Sequence, residues 1–293
     1  MCHQPRQHRQ GDRRPDAGDP RAPCRGGGTG PAGTADRDRH AGTPSRPLIA
    51  ALTAPRFATS AAAVLLLAAA APAAAASFGV EATTDLRRRG LGWSDGKPAL
   101  EAWASLPLSG GVSLEAGAAT LRGSARHGSA DLLGEAALRY TAQTGPWTLW
   151  ADAQGLVFAG GRGGQSYGQL RSGAAIGIGP AQLGALASWA PPQGAIGGSN
   201  VYFGATATVG VPGTPLTLRA GGGRSLGTDD GSGRAARLRP GGDYTDLRLD
   251  ADYVLGPVTL GASVTTTSID AATVTGGARD FGTRALLRAS FAF

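Results

Sequence analysis

From Ser77 to Phe293 apolar and polar residues alternate with a period of two, and the charged residues of each run fall on the same face. A period of two sets successive side chains on opposite faces of a strand, so this segment reads as β-strands with one apolar and one polar face. In the first run Phe78, Val80, Ala82, Thr84 and Leu86 oppose Glu81, Thr83, Asp85 and Arg87. The second opposes Leu100, Ala102, Ala104 and Leu106 to Glu101, Trp103 and Ser105, and the third opposes Val112, Leu114, Ala116 and Ala118 to Ser113 and Glu115. Further along, Thr245, Leu247, Leu249, Ala251 and Tyr253 oppose Asp246, Arg248, Asp250 and Asp252. A face that acidic is too costly to bury in an apolar core, so water must reach it.

An internal repeat gives the connectivity. Gly111, Gly145, Gly179 and Gly213 recur at a spacing of 34, followed by Gly256, and four of these five sit beside proline. Gly145-Pro146-Trp147-Thr148-Leu149, Gly179-Pro180-Ala181-Gln182-Leu183, Gly213-Thr214-Pro215-Leu216-Thr217-Leu218 and Gly256-Pro257-Val258-Thr259-Leu260 each read as a tight turn feeding a new strand. Longer polar connections alternate with them, around Gly90 to Gly96, Arg122 to Ala130, Ala159 to Gln165, Pro191 to Ser199, Arg224 to Asp243 and Ile269 to Gly282. Short turns at one end, long loops at the other and an even strand number are the layout of an outer-membrane barrel. The expected fold is all-β, an antiparallel up-and-down transmembrane barrel of about twelve strands.

A soluble sandwich would need bulky residues on its packed faces, and this chain offers mostly alanine. Lipid fills the gaps between small residues, and closure leaves no strand edge unpaired where no water can hydrogen-bond it. Phe78, Tyr140, Trp147, Tyr253 and Phe293 fall on the apolar face at the short-turn ends, as an interfacial girdle would. Trp103 and Trp150 do not, since Glu101 and Asp152 beside them point inward. In the last strand Thr283, Ala285, Leu287, Ala289, Phe291 and Phe293 oppose Arg284, Leu286, Arg288 and Ser290. Phe291 and the terminal Phe293 resemble the C-terminal signal by which the barrel-assembly machinery recognises outer-membrane proteins.

The segment before Ser77 divides in two. Residues 1–47 are rich in Arg, Asp, Gly and Pro with no periodicity, which is the composition of a disordered or mis-annotated leader. Residues 48–76 carry Arg56, an apolar run from Ala61 to Ala71 and the small residues Ala74 and Ala76, and read as a signal peptide cleaved after Ala76. A start at Leu48 or Leu52 would fit as well. Ten of the 28 basic and 5 of the 21 acidic residues precede Ser77, leaving 18 against 16 in residues 77–293, so the high overall charge does not point to nucleic acid. Cys2 and Cys24 also lie in the leader, so a mature chain carries no thiol or disulfide.

Thr83-Thr84-Asp85-Leu86-Arg87-Arg88-Arg89-Gly90, followed by Ser94-Asp95-Gly96-Lys97-Pro98-Ala99-Leu100-Glu101, resembles the proteobacterial TorF family of porins. That family has an aromatic after the Asp and a Gln after the Pro-Ala pair, where this sequence has Leu86 and Glu101. Over the rest of the chain the resemblance is one of length and hairpin rhythm. It implies an outer-membrane barrel and a pore, and it brings no catalytic residues.

Little in residues 77–293 points to catalysis or metal binding. Their one histidine, His127, sits in a Ser-rich loop with Ser124, Ser129 and Asp131 near, and reads as a solvated loop residue rather than a hydrolase base. Asp229 with Asp230, and Asp250 with Asp252, read as ordinary loop and lumen charges rather than a Ca²⁺ site. Gly160-Gly161-Arg162-Gly163-Gly164 lacks the strand-to-helix setting of a phosphate loop. No catalytic, cofactor or metal residues are expected.

The informative inventory faces the lumen. It comprises Glu81, Asp85, Glu101, Glu115, Glu135, Asp152, Asp246, Asp250 and Asp252 beside Arg87, Arg139, Arg171, Arg219, Arg248, Arg284 and Arg288. Facing acidic and basic walls would set a transverse field that small polar solutes can cross, whereas the same charges paired across a narrow bore would plug it. Both readings remain open at this point: a passive porin for small hydrophilic solutes, or a non-conducting barrel that presents its loops. The partners expected are outer-membrane lipid, the assembly machinery and small polar solutes, with no nucleic acid and an open oligomeric state.

Overall fold

The computed structural model describes residues 76–270, 272, 274 and 278–293. The leader and the signal peptide read from the sequence lie outside the described residues. Twelve strands close into one antiparallel barrel: β1 (Ser77–Thr83), β4 (Ala99–Pro107), β5 (Val112–Ser124), β6 (Ala130–Thr144), β7 (Trp147–Ala159), β8 (Tyr167–Ile178), β9 (Ala181–Gln193), β10 (Gly198–Gly210), β11 (Leu216–Gly227), β12 (Tyr244–Leu255), β13 (Val258–Thr267) and β14 (Arg284–Ala292). Each strand pairs with its neighbours in chain order, and β1 pairs with both β4 and β14 to close the ring. The seam ends on reciprocal bonds of 3.0 Å, the Phe78 N–H to the Phe293 carbonyl and the Phe293 N–H to the Phe78 carbonyl. Closure leaves the ring of twelve described strands without a free edge.

The alternation read from the sequence sets the two faces. Leu287 is 64% exposed on the outside while Leu286, its neighbour, is 5% exposed on the inside. Leu100, Leu138, Leu170, Leu183, Leu247, Leu249 and Leu260 likewise lie outward and exposed, and Phe78, Tyr140, Trp147, Tyr253 and Phe293 are exposed at the short-turn end. The glycines of the repeat, Gly111, Gly145, Gly179, Gly213 and Gly256, all have φ between 57° and 81°, the left-handed backbone that a tight reversal requires.

The first long connection departs from expectation. The alternation extends the first strand to Leu86, but β1 ends at Thr83, and residues 85–94 turn inward with a small hairpin, β2 (Arg87–Arg88) and β3 (Leu91–Gly92). Leu86, expected on the lipid face, is 5% exposed and packs with Leu91 and Trp93. The polar residues of the resembling motif make this fold. The Ser94 hydroxyl donates to Asp85 Oδ1 at 3.0 Å and accepts from the Leu86 N–H at 2.9 Å, which pins the two ends of the insert together.

The apolar core of this barrel therefore sits at the long-loop end. Leu86, Leu91 and Trp93 of the insert pack there with Leu121, Leu133, Leu156 and Tyr167 of the wall, Ile196 and Leu238 of later loops, and Phe281 of the short helix α1 (Ala278–Phe281).

Candidate functional site

The candidate site is the lumen and the hairpin lodged in it. Three consecutive arginines at the hairpin reach different parts of the ring. Arg87 donates to Asp85 Oδ2 at 2.8 Å and to the Gly282 carbonyl at 3.2 Å, and also bonds the Arg279 carbonyl, tying the insert to the last long loop. Arg88 donates to Glu101 of β4 at 2.8 Å and to Glu135 of β6, with its guanidinium 5.0 Å from the centre of the Trp93 ring. Arg89 turns to the far side, donating to Ser188 of β9 at 3.0 Å and Gln169 of β8 at 3.3 Å while lying 4.5 Å over Tyr202 of β10. The Tyr244 hydroxyl donates to the Arg89 carbonyl at 3.0 Å.

Gly90 completes the crossing. A Cβ there would lie 2.4 Å from Thr267 and 2.9 Å from Asp246, and φ is +74°, so the tip is pressed against β12 and β13 where only glycine fits. Contacts from a single tip to β4, β6, β8, β9, β10, β12 and β13 mean that the insert spans the bore.

Most lumen charges read from the sequence lie on the inner wall and pair with neighbours along it. Asp152 accepts Arg139 at 2.8 and 3.0 Å and Arg171 at 2.7 and 2.9 Å, and its side chain is fully shielded. Arg248 donates to Asp250 at 2.7 Å, and Arg288 pairs with Asp252 at 2.6 Å and Asp250 at 3.2 Å. Gly261 makes the last arrangement possible: a Cβ there would fall 2.4 Å from the Arg288 Nε and 2.5 Å from the Asp252 carboxylate, so a bare residue lets Arg288 cross β13. Glu115 accepts Ser113 at 2.7 Å and Ser105 at 2.9 Å, and Asp246 accepts the Tyr202 hydroxyl at 3.3 Å.

Asp85 belongs to the insert rather than to the wall. Glu81, Arg219 and Arg284 make no hydrogen bond or ion pair among the described residues. Both inward tryptophans stand over glycines: a Cβ at Gly79 or at Gly173 would lie 2.6 Å from Trp103 or Trp150 respectively, and Arg139 stacks 4.6 Å over Trp150.

Above the hairpin the other long loops form a cap, and it reverses the reading of His127. The residue is fully buried, with Trp93 at 4.4 Å and Phe158 at 4.8 Å between ring centres. Arg237 Nη2 lies 3.3 Å from Nδ1. A guanidinium can only donate, so Nδ1 accepts and the ring proton sits on Nε2, which has no partner among the described residues. Burial, then the positive charges of Arg237, Arg126 and Arg88, hold this imidazole well below the usual histidine range. Burial also lowers Arg237 to about 10 and raises the Asp280 carboxyl. Arg126 donates to the Gly92 carbonyl at 3.2 Å and pairs with Asp280 at 3.4 Å. Asp229 and Asp230 each close a local turn, accepting the N–H of Gly231 at 2.8 Å and of Ser232 at 2.9 Å.

Sequence reading missed Arg88, Arg89, Arg126, Arg237, Gln169, Ser188 and Tyr202 as parts of one assembly. The available signal was Leu86, Leu91 and Trp93 around three arginines, apolar groups that a solvated loop does not need.

Residues 67–291 match the family described as "Bacterial protein of unknown function (Gcw_chp)". The chain belongs to that family. No curated protein matches this Gcw_chp member. Among solved structures it is similar to the NanC porin, 11% identical with a TM-score of 0.50, over 74% of this chain and 98% of that one. The KdgM porin is 8% identical with a TM-score of 0.48, over 74% and 99%. LpxR from Salmonella typhimurium is 12% identical with a TM-score of 0.43, over 74% and 99%. At such identities the likeness to NanC concerns the barrel fold.

Proposed function

We propose that this chain is a barrel of the bacterial outer membrane that gives small hydrophilic solutes passage through a charged lumen, with the β2–β3 hairpin as its inserted constriction. The observation that carries this reading is the division of faces: an exposed apolar belt outside, and inside a wall of acidic and basic side chains, most of them paired with one another along the wall. The short turns then face the periplasm and the capped end the exterior. The resemblance of the first hairpin to TorF porins supports the same reading. Residues 48–76 serve as the signal peptide, cleaved after Ala76, and Phe291 and Phe293 present the last strand to the assembly machinery.

No catalytic residue enters this reading. His127 is held by Arg237 and aromatic rings, and neither Ser124 nor Ser129 hydrogen-bonds it among the described residues.

Conductance of single molecules in a planar bilayer tests the channel. Reproducible steps in the wild type, larger steps when residues 87–91 are replaced by a short Gly-Ser linker, are expected. A second reading is favoured by the reach of the hairpin tip around the bore: a non-conducting barrel that presents its cap. Silence from both folded proteins would establish that reading instead.

A further inference from the structure

Directly beneath the hairpin the lumen holds a polar cavity of about 200 Å³, with Leu86, Arg87 and Arg88 of the insert on one side and β1, β4, β11, β12, β13 and β14 around it. That is room for several ordered waters, or for a small polar solute in their place.

The charges around this cavity are not equivalent. Arg87, Arg88, Arg248 and Arg288 each have a carboxylate partner within 3.2 Å. Glu81 and Arg219 also line it and make no hydrogen bond or ion pair among the described residues. They lie on β1 and β11, separated around the ring by β14, β13 and β12. A wall that neutralises its other charges locally thus leaves one carboxylate and one guanidinium available, of opposite sign and on separate strands.

We infer that this cavity is a recognition site for a small zwitterion bearing an ammonium at one end and a carboxylate at the other, as in an amino acid or a dipeptide. Arg219 offers the ligand carboxylate a planar two-pronged donor, and Glu81 accepts the ammonium. A ligand with only one charge leaves the opposite wall group unanswered, and that loss gives the selectivity. The assignment deepens the channel reading and rests on it for solute access, but binding itself requires no current.

The test is calorimetric titration of the purified, folded protein in detergent with three near-isosteric probes: glycylglycine, N-acetylglycine, which lacks the ammonium, and glycylglycinamide, which lacks the carboxylate. Glycylglycine is expected to bind about tenfold tighter than either analogue, equivalent to about 1.4 kcal/mol. Arg219→Gln should erase its advantage over glycylglycinamide, and Glu81→Gln its advantage over N-acetylglycine. Equal binding of all three probes, or none by glycylglycine, overturns the site, and the wild-type series decides this without any variant. Conductance of the same preparation, read separately, judges the channel, so failure of the site with channel activity intact is distinguishable from failure of both.

Discussion

Arg88 and Glu101 form an ion pair of 2.8 Å that joins the inserted hairpin to the barrel wall. The same guanidinium also bonds Glu135, so one side chain bridges β4 and β6 from inside. Arg88→Ala leaves two carboxylates without their cation, a change that weakens the seat of the hairpin by about 3 kcal/mol. The open-to-closed ratio should rise roughly a hundredfold, seen as longer and larger openings in single-channel records, with the barrel still resistant to protease. Unchanged records would show that Arg88 does not hold the constriction.

His127 makes the cap sensitive to acid. Its folded pKa is depressed, so the folded state takes up its proton less readily than the unfolded loop does. The stability this gives is complete above the ordinary histidine pKa of about 6.5 and is lost as pH falls from there toward the folded value, about 1.4 kcal/mol for each unit of depression. The raised Asp280 carboxyl works with the opposite sign, binding its proton more readily when folded. The His127→Phe variant, which keeps a ring between Trp93 and Phe158, isolates the first effect. Proteolysis of the long loops should quicken between pH 7.5 and pH 5 in the wild type and not in the variant.

Asp152 pairs with two arginines at once. Asp152→Asn removes that charge from the wall and should move the reversal potential across a salt gradient toward anions. A selectivity identical to wild type would place the conducting path away from this row.

The seam between β1 and β14 ends on Phe78 and Phe293, whose rings meet edge to face at 3.9 Å between centres. Deleting Phe293 removes two terminal backbone bonds and that contact, together about 2–4 kcal/mol. A lower urea midpoint and a reduced yield of heat-resistant barrel on gels are expected. An unchanged midpoint would mean that closure is complete without the last residue.

The sequence by itself determined the barrel. A period of two between Ser77 and Phe293, interrupted by Gly-Pro turns, fixes which residues point outward, as adjacent Leu286 and Leu287 illustrate, because pleat geometry leaves a strand residue only two directions. The same rule placed Trp103 and Trp150 inside and Glu135 and Asp152 on the lumen wall. Only the tertiary structure decided what fills the bore. Nothing local distinguishes a loop that stays in water from one that folds inward, since Leu86, Leu91 and Trp93 find their apolar partners on strands and loops distant in the chain. His127 is the sharpest case. Its loop is short and serine-rich, yet burial comes from Trp93, Phe158 and Arg237, contacts that exist only once the ring has closed and its long loops have met. The residual charges follow the same logic: alternation set Glu81 and Arg219 on the inner face, but which carboxylates and guanidinium groups satisfy one another depends on strand register and on how far each side chain reaches past its neighbours.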